Sequence, residues 1–330
     1  FINFPYQLYK HDPYWVPPIK MGEFKSLSTK NPSLKDVEIK KWLAFDGKKV
    51  VGRIAGMLHH KSNTIWNEHN MRFGWFDSID NKQVAHLLIT EIEKWASEKA
   101  INAIHGPLGL TDLDPQGMLV EGFDQLPTMS TLYNSHNYPK WLESFGYEKD
   151  IDWLEYRFPL PQKLPSKIQQ ISQIVKKRSG IYVRDFRSFN DIKPFLPNIF
   201  NCINEGYKDL YGYVPLNDAQ VNYYVNNFKG ILKPEYVSVA FNKQDQLVGV
   251  CISLPNLAHT MKKINGQVFP LGIFKILSGL KRHNSVELCL IAISEHSKKT
   301  GIPACLLEHS FNAFKSQGVK WVETNPELET

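Results

Sequence analysis

Apolar positions recur along this chain with two periods, two and about 3.6. The switches between them mark its elements. From Glu38 to Phe45 and from Lys49 to His59 the pattern is that of strands, separated by Asp46-Gly47-Lys48. An Asp-Gly turn between apolar runs predicts a hairpin. Phe73 to Phe76 predicts a further short strand. Between Val84 and Ala96, Leu87, Leu88, Ile92 and Trp95 fall on one helical face. A strand over 103–105 and a short helix over 138–145, stopped by Gly146, follow. Ahead of the hairpin, prolines and aromatics alternate from Phe4 to Pro18, which predicts a turn-rich arm rather than a regular helix throughout.

A similar succession returns after the proline-rich stretch Phe158 to Lys167. Ile168, Ile171 and Ile174 mark an amphipathic helix over 167–177, and Gly180 to Arg184 starts a strand. Helices are expected over 192–204 and 219–227, around an aromatic loop holding Tyr207, Tyr211 and Tyr213. Strands follow over 236–241 and 247–253. After an insertion, Leu254 to Asn284, comes the run Val286 to Ile293, apolar except for Glu287. A run so short, bounded by polar residues, reads as a buried strand. A basic turn and Gly301 lead into Ile302, Leu306, Leu307, Phe311 and Phe314 at helical spacing. Val319 to Val322 predicts the closing strand.

With 330 residues, two domains are expected, divided at 1–160 and 161–330. Hydrophobic residues make up 42%, enough for packed cores, so disorder is excluded. The net charge of +6 is spread along the chain. It suits an anionic ligand or lipid surface, and without a basic run interleaved with aromatics it does not point to nucleic acid. Cys202, Cys251, Cys289 and Cys305 form no C-x-x-C pair, which predicts buried thiols and no metal site. No apolar stretch is long enough to span a membrane, and no signal peptide is visible. The chain opens at Phe1 without methionine and stops just after an expected strand, as a piece of a longer protein would.

Three stretches carry candidate chemistry. The first is the strand–glycine–helix of 286–314. A helix start presents N–H groups and the positive dipole end to a phosphate, and Lys298 and Lys299 add charge there. The second, His105 to Thr128, is rich in Gly, Pro and Asp. Asp112, Asp114, Glu121 and Asp124 would offer carboxylates to an amine, or else simply form turns. The third is Val268 to His283, apolar and basic. It reads either as a helix lying at a membrane surface or over an acyl chain, or as a core helix capping the sheet.

The segment Lys298-x-x-Gly301, between strand and helix, resembles the acyl-CoA motif of the GNAT superfamily of N-acyltransferases, with Pro303 where that motif has Gly or Ala. Across the chain, Asp12-Pro13-x-Trp15-Val16-Pro17-Pro18, Gly106-Pro107, Gly117 to Asp124, Tyr133-Asn134 and Phe269 to Gly272 resemble bacterial tandem GNAT-like proteins. The resemblance implies an α/β (α+β) fold of two tandem GNAT-like domains, each a mixed, mainly antiparallel sheet flanked by helices. In the first domain the loop Asp77 to Gln83 has no glycine and two acids, which implies a degenerate cofactor loop.

It also implies direct acyl transfer from acetyl-CoA or a longer acyl-CoA to a small-molecule or lipid amine, including a sphingoid-type amine, without metal. The cofactor would lie along Leu290, Ile291 and Ile293 and on Lys298, Lys299, Thr300, Gly301, Ile302 and Ala304. Glu287 is the first candidate base, with Glu323 and Asn325 as a second pair; an exposed Glu287 would have no such role. Asp112, Asp114, Glu121 and Tyr211 are the acceptor-site candidates. A cytoplasmic protein, with peripheral contact to the inner membrane through 268–283, is expected. The alternative is a non-catalytic GNAT-fold protein binding acyl-CoA or lipid.

Overall fold

The computed structural model describes residues 1–329, which divide into two compact units. The first holds Phe1–Trp153, Ala258–Ile276 and the chain end from Leu328; the second holds Leu154–Leu257 and Leu277–Glu327. The segment 258–276 therefore belongs with the first unit, whereas the sequence pattern had placed it within a continuous 161–330.

The first unit opens with two short helices, α1 (Phe4–Leu8) and α2 (Lys20–Ser26). A hairpin follows, β1 (Val37–Asp46) and β2 (Lys49–His59), then α3 (His60–Trp66) and β3 (Asn70–Ser78). Next come α4 (Lys82–Glu98), β4 (Ala103–His105), α5 (Tyr138–Ser144) and the two-residue β5 (Trp153–Leu154). The sheet order is β1-β2-β3-β4, antiparallel except for the β3–β4 pair. Leu88, Ile89, Ile92 and Trp95 of α4 pack on Ile54, Met71 and Phe73 of the sheet. Leu87, expected on that face, is instead 62% exposed and Ile89 is buried in its place; burial of the face supplies most of the helix's stability.

The second unit contains β6 (Arg157–Pro159), α6 (Ser166–Ser179), β7 (Tyr182–Arg184), α7 (Phe189–Ile192), α8 (Leu196–Tyr207) and α9 (Asp218–Phe228). Strands β8 (Val237–Phe241) and β9 (Leu247–Pro255) follow. The chain then passes through α10 (Ala258–Ile264) and α11 (Gly272–Arg282). It ends with β10 (Ser285–Ile293), α12 (Ile302–Ser316), β11 (Trp321–Thr324) and the short β12 (Glu327–Leu328). The sheet order is β6-β11-β10-β9-β8-β7, with β10 and β11 its parallel pair.

Both units thus repeat one plan. An antiparallel meander runs into a strand, crosses through a helix and returns as a parallel neighbour: β3-α4-β4 and β10-α12-β11. The bulge recurs as well. Register slips between Arg53 and Ala55 where β2 meets β3, and between Leu288 and Leu290 where β10 meets β9. A bulge bends its strand and re-aims the side chains beyond it.

Candidate functional site

Strand β10 pairs with β9 along its length, but with β11 only from Ser285 to Leu288. Asn325 N–H closes that pairing on the Leu288 carbonyl at 3.2 Å. Beyond it the two strands part. On the open side, Ile291 N–H donates to the Tyr207 hydroxyl at 3.1 Å. Tyr207 sits at the end of α8, edge-on to Tyr213 with ring centroids 5.6 Å apart. The Tyr213 hydroxyl donates to Asn204 Oδ1 at 2.8 Å, and the same oxygen accepts from Leu216 N–H at 2.9 Å. The tyrosine is therefore held by a fixed loop.

Past Ile293 the chain turns through Lys299, φ +63°, and Gly301, φ +76°. Gly301 is required twice over. An L side chain is strained at that φ, and a Cβ would stand 2.9 Å from Ile171 Cγ2 of α6. Because Gly301 is also the N-cap of α12, the cap residue has no side chain to offer the helix's first N–H groups. A cleft of about 450 Å³ opens here. Ile293, Lys298, Lys299, Gly301 and Ala304 line it, with Pro303, Leu307 and two isoleucines of α6. Five residues expected to hold a cofactor are thereby brought together. Thr300 instead donates its hydroxyl to Ser297 O at 2.6 Å, and the Ile302 side chain is buried in the core.

Charge at the loop is partly committed. Glu295 bridges Lys298 at 2.9 Å and Lys208 at 3.1 Å. Hydrogen bonds from these two lysines, Lys298 first, hold its carboxyl below the usual range. Among the described residues Lys299 makes no ion pair and remains to meet an anion.

The matching positions of the first unit are filled by its own chain. Asn81 Oδ1 accepts from Gln83 N–H at 2.9 Å and caps α4. Where β3 and β4 part, Leu108 N–H donates to the Phe73 carbonyl at 2.8 Å. A Cβ on Gly74 would come within 2.5 Å of Leu108 O, so the inserted segment lies hard against the strand. The first acid of this loop is Asp77. That carboxylate is buried in an ion pair with Arg53 at 2.7 Å, and Asp80 accepts from Asn137 at 2.7 Å.

The candidate catalytic residues meet where β10 and β11 part. Glu287 pairs in register with Glu323, so both side chains share one face. Glu287 is fully buried, which removes the reading of it as a residue on an exposed pleat. Glu323 is committed elsewhere. It accepts from Asn256 Nδ2 at 2.9 Å and from Ser285 Oγ at 2.7 Å, with Arg157 3.6 Å away. Among the described residues, Asn325 buries an Oδ1 with no hydrogen-bond partner.

Its side chain reaches the thiol of Cys289, the bulge residue, which the sequence pattern had grouped with ordinary buried cysteines. Burial, then the neighbouring Glu287, pushes that thiol well above the usual range. Cys289 therefore stays protonated and is no nucleophile.

The acceptor-site candidates divide between the units. Asp114 Oδ2 accepts from the N–H groups of Leu110 and Thr111, each at 3.0 Å, so it forms a turn. Asp112 accepts from Gln116 at 3.1 Å, and burial raises its carboxyl. Glu121 is exposed. Tyr211 belongs to the second unit, on the loop after α8. Among the described residues, no group of three or more His, Cys, Asp or Glu side chains is placed to hold a metal, and no helix is long and apolar enough to cross a membrane.

A split strand, a glycine turn and an uncapped helix define a class: the fold is that of the GNAT N-acetyltransferases, built twice in one chain. It is similar in structure to a tandem GNAT protein of the clavulanic acid biosynthesis pathway, with TM-score 0.50 and 11% identity over 97% of this chain and 82% of that one. In sequence the chain is 28% identical to Protein YghO of Escherichia coli strain K12, covering 85% of this chain and 71% of that one. It is 26% identical to a bacterial ceramide synthase of Caulobacter vibrioides, covering 85% and 73%. No family model matches the chain.

Proposed function

We propose that the chain is an acyl-CoA-dependent N-acyltransferase working from its second unit. The observation that carries this reading is the open edge of β10 running into an uncapped, lysine-flanked start of α12, with a cleft at the junction. These residues fit an acyl-CoA. Its pyrophosphate would lie at the Gly301 turn beside Lys299, and its pantetheine along Leu290 to Ile293, as an added strand.

Ile291 N–H, once released by Tyr207, would donate to the thioester carbonyl and hold the oxyanion. The amine nitrogen attacks that carbon and the C–S bond breaks. The amine's proton leaves to Glu287, and the thiolate takes up a proton from solvent. Glu323, already bonded to Asn256 and Ser285, positions the strand ends.

The acceptor is then an amine, and the likeness to a protein named as a ceramide synthase favours a sphingoid-type lipid amine and a long acyl chain. Use of acyl-CoA places the reaction in the cytoplasm.

Glu287→Gln tests the reading. Turnover should fall by about 100-fold or more, the lower end of what general base catalysis supplies. Stabilisation by bound CoA should be unchanged. Unaltered turnover would remove Glu287 as the base.

A second reading, acyl-CoA binding without transfer, is favoured by Pro303, which lacks an N–H at the second position of α12, and by the engagement of Lys298 with Glu295. Thermal unfolding with acetyl- to palmitoyl-CoA, followed by product analysis with a long-chain amine, separates the two. Stabilisation without product supports the second.

A further inference from the structure

The sequence pattern left Val268 to His283 between two roles, and the structure shows why both were legible. Helix α11 turns Ile276 inward, buried at 6% exposure. Its outer face carries Phe274, and Leu271 lies immediately ahead of its first residue, Gly272. Phe274 is 66% exposed and Leu271 68%, and Phe269, just ahead of the helix, is 79% exposed. A helix apolar on both sides needs something against its outer side.

A second exposed pair joins it. Helix α2 has no buried residue and presents Met21 and Phe24, 61% and 54% exposed. Lys20 N–H at the start of α2 donates to the Gly266 carbonyl, in the turn between α10 and α11, at 2.9 Å. The Tyr6 hydroxyl holds Pro18 O at 2.7 Å, and Lys262 Nζ holds the carbonyls of Asp12 and Trp15, each at 3.1 Å. Two segments some 250 positions apart in sequence are thus fixed side by side, each with bare apolar tips.

Charge selects the occupant. From Ala258 to His283 there is no acid, while Lys263, Lys275, Lys281 and Arg282 are exposed, and Lys25 is exposed on α2. The single acid of α2, Glu23, is turned to the Trp75 Nε1–H, which donates to it at 3.1 Å. Aromatic and aliphatic tips amid cations, with no exposed anion, match the acyl boundary and headgroups of an anionic bilayer.

We propose that α2 and α11 form a peripheral docking surface for an anionic membrane. Phe269, Leu271, Phe274 and the α2 tips enter the acyl boundary, and Lys25, Lys263 and Lys275 lie at the phosphates. This assignment does not depend on the acyltransferase reading, because its readout is partitioning and not turnover.

The test is co-sedimentation of the whole chain with phosphatidylcholine vesicles, with and without phosphatidylglycerol. Binding should require the anionic lipid and weaken with added salt. The triple variant Phe269→Ser, Leu271→Ser, Phe274→Ser should bind at least about tenfold more weakly, since each change withdraws a large apolar side chain from the boundary. Its thermal unfolding should be unchanged, because the three side chains are exposed. Lys263→Glu with Lys275→Glu should abolish the preference for the anionic lipid. No binding to anionic vesicles, or binding that survives the triple variant, overturns the proposal. So does sedimentation velocity showing a dimer that the triple variant dissociates, since the patch would then be covered by a second copy.

Discussion

Tyr207 holds with its hydroxyl a backbone donor that the proposed acyl transfer would use. The Ile291 N–H lies on the side of β10 that β11 has left, and the phenol accepts from it where a thioester oxygen would. In the proposed reaction acyl-CoA would displace that hydroxyl before its carbonyl is polarised. Tyr207→Phe removes the competitor and leaves the ring contact with Tyr213 in place. A neutral hydrogen bond is worth roughly 0.5–1.5 kcal/mol net, so KM for acyl-CoA should fall about two- to tenfold with kcat little changed. Steady-state kinetics decides it. A fall in kcat with constant KM would instead make the hydroxyl a donor to the oxyanion. Neither Tyr207 nor Cys289 is legible as part of the site in the sequence. Tyr207 is one of several loop aromatics there, and Cys289 completes an apolar run. What singles them out is a bulge and a strand separation, both made by tertiary pairing.

At the scale of elements, the same strand–turn–helix is built with two different helix starts. In α4 the cap is Asn81, whose side chain satisfies the first N–H groups itself. In α12 it is Gly301, which has no side chain to satisfy them. Gly301→Ala should therefore cost about 1–2 kcal/mol, the cost of a left-handed L residue, with the close approach to Ile171 added to it. It should also weaken CoA binding. Denaturant unfolding and a CoA titration measure the two effects separately, and full retention of CoA affinity would detach the turn from the cofactor.

This part of the fold was readable because it is local: one apolar run, one glycine, one helical period. Helices α2 and α3 were not, and for a common reason. The first buries no residue and the second only Ser62, so neither carries an apolar stripe to be read. The closing strand was displaced for a related reason. Val319 is buried with Phe314 in the core, which makes it look like strand, but pairing with β10 begins only at Trp321.

For the molecule as a whole, part of the response to acid lies in two histidines of the first unit. His59 ends β2, its Nε2–H donating to the Leu110 carbonyl at 3.1 Å while Nδ1 accepts from Ser62 N–H at 3.2 Å. His105 ends β4, in register with Arg72 on β3. Burial first, and then the Arg72 guanidinium, lower both imidazoles from 6.5 to about 4. Asp36 near His59 and Asp150 near His105 oppose this without reversing it.

A group with a depressed imidazole pKa stays neutral in the folded state while the unfolded chain protonates. Stability is therefore intact above pH 6.5, falls as pH drops towards 4, and levels below that. Over the whole window each histidine accounts for about 3 kcal/mol, and at pH 5 for about 2 kcal/mol. Asp112 and Glu23, raised by burial, act with the opposite sign. Urea unfolding of the first unit should show its free energy dropping between pH 7 and pH 5. The double variant His59→Gln, His105→Gln should be less stable at pH 7 and nearly flat over the same interval. A double variant as steep as the parent would mean that acid acts on other groups, and the buried imidazoles would then be packing side chains alone.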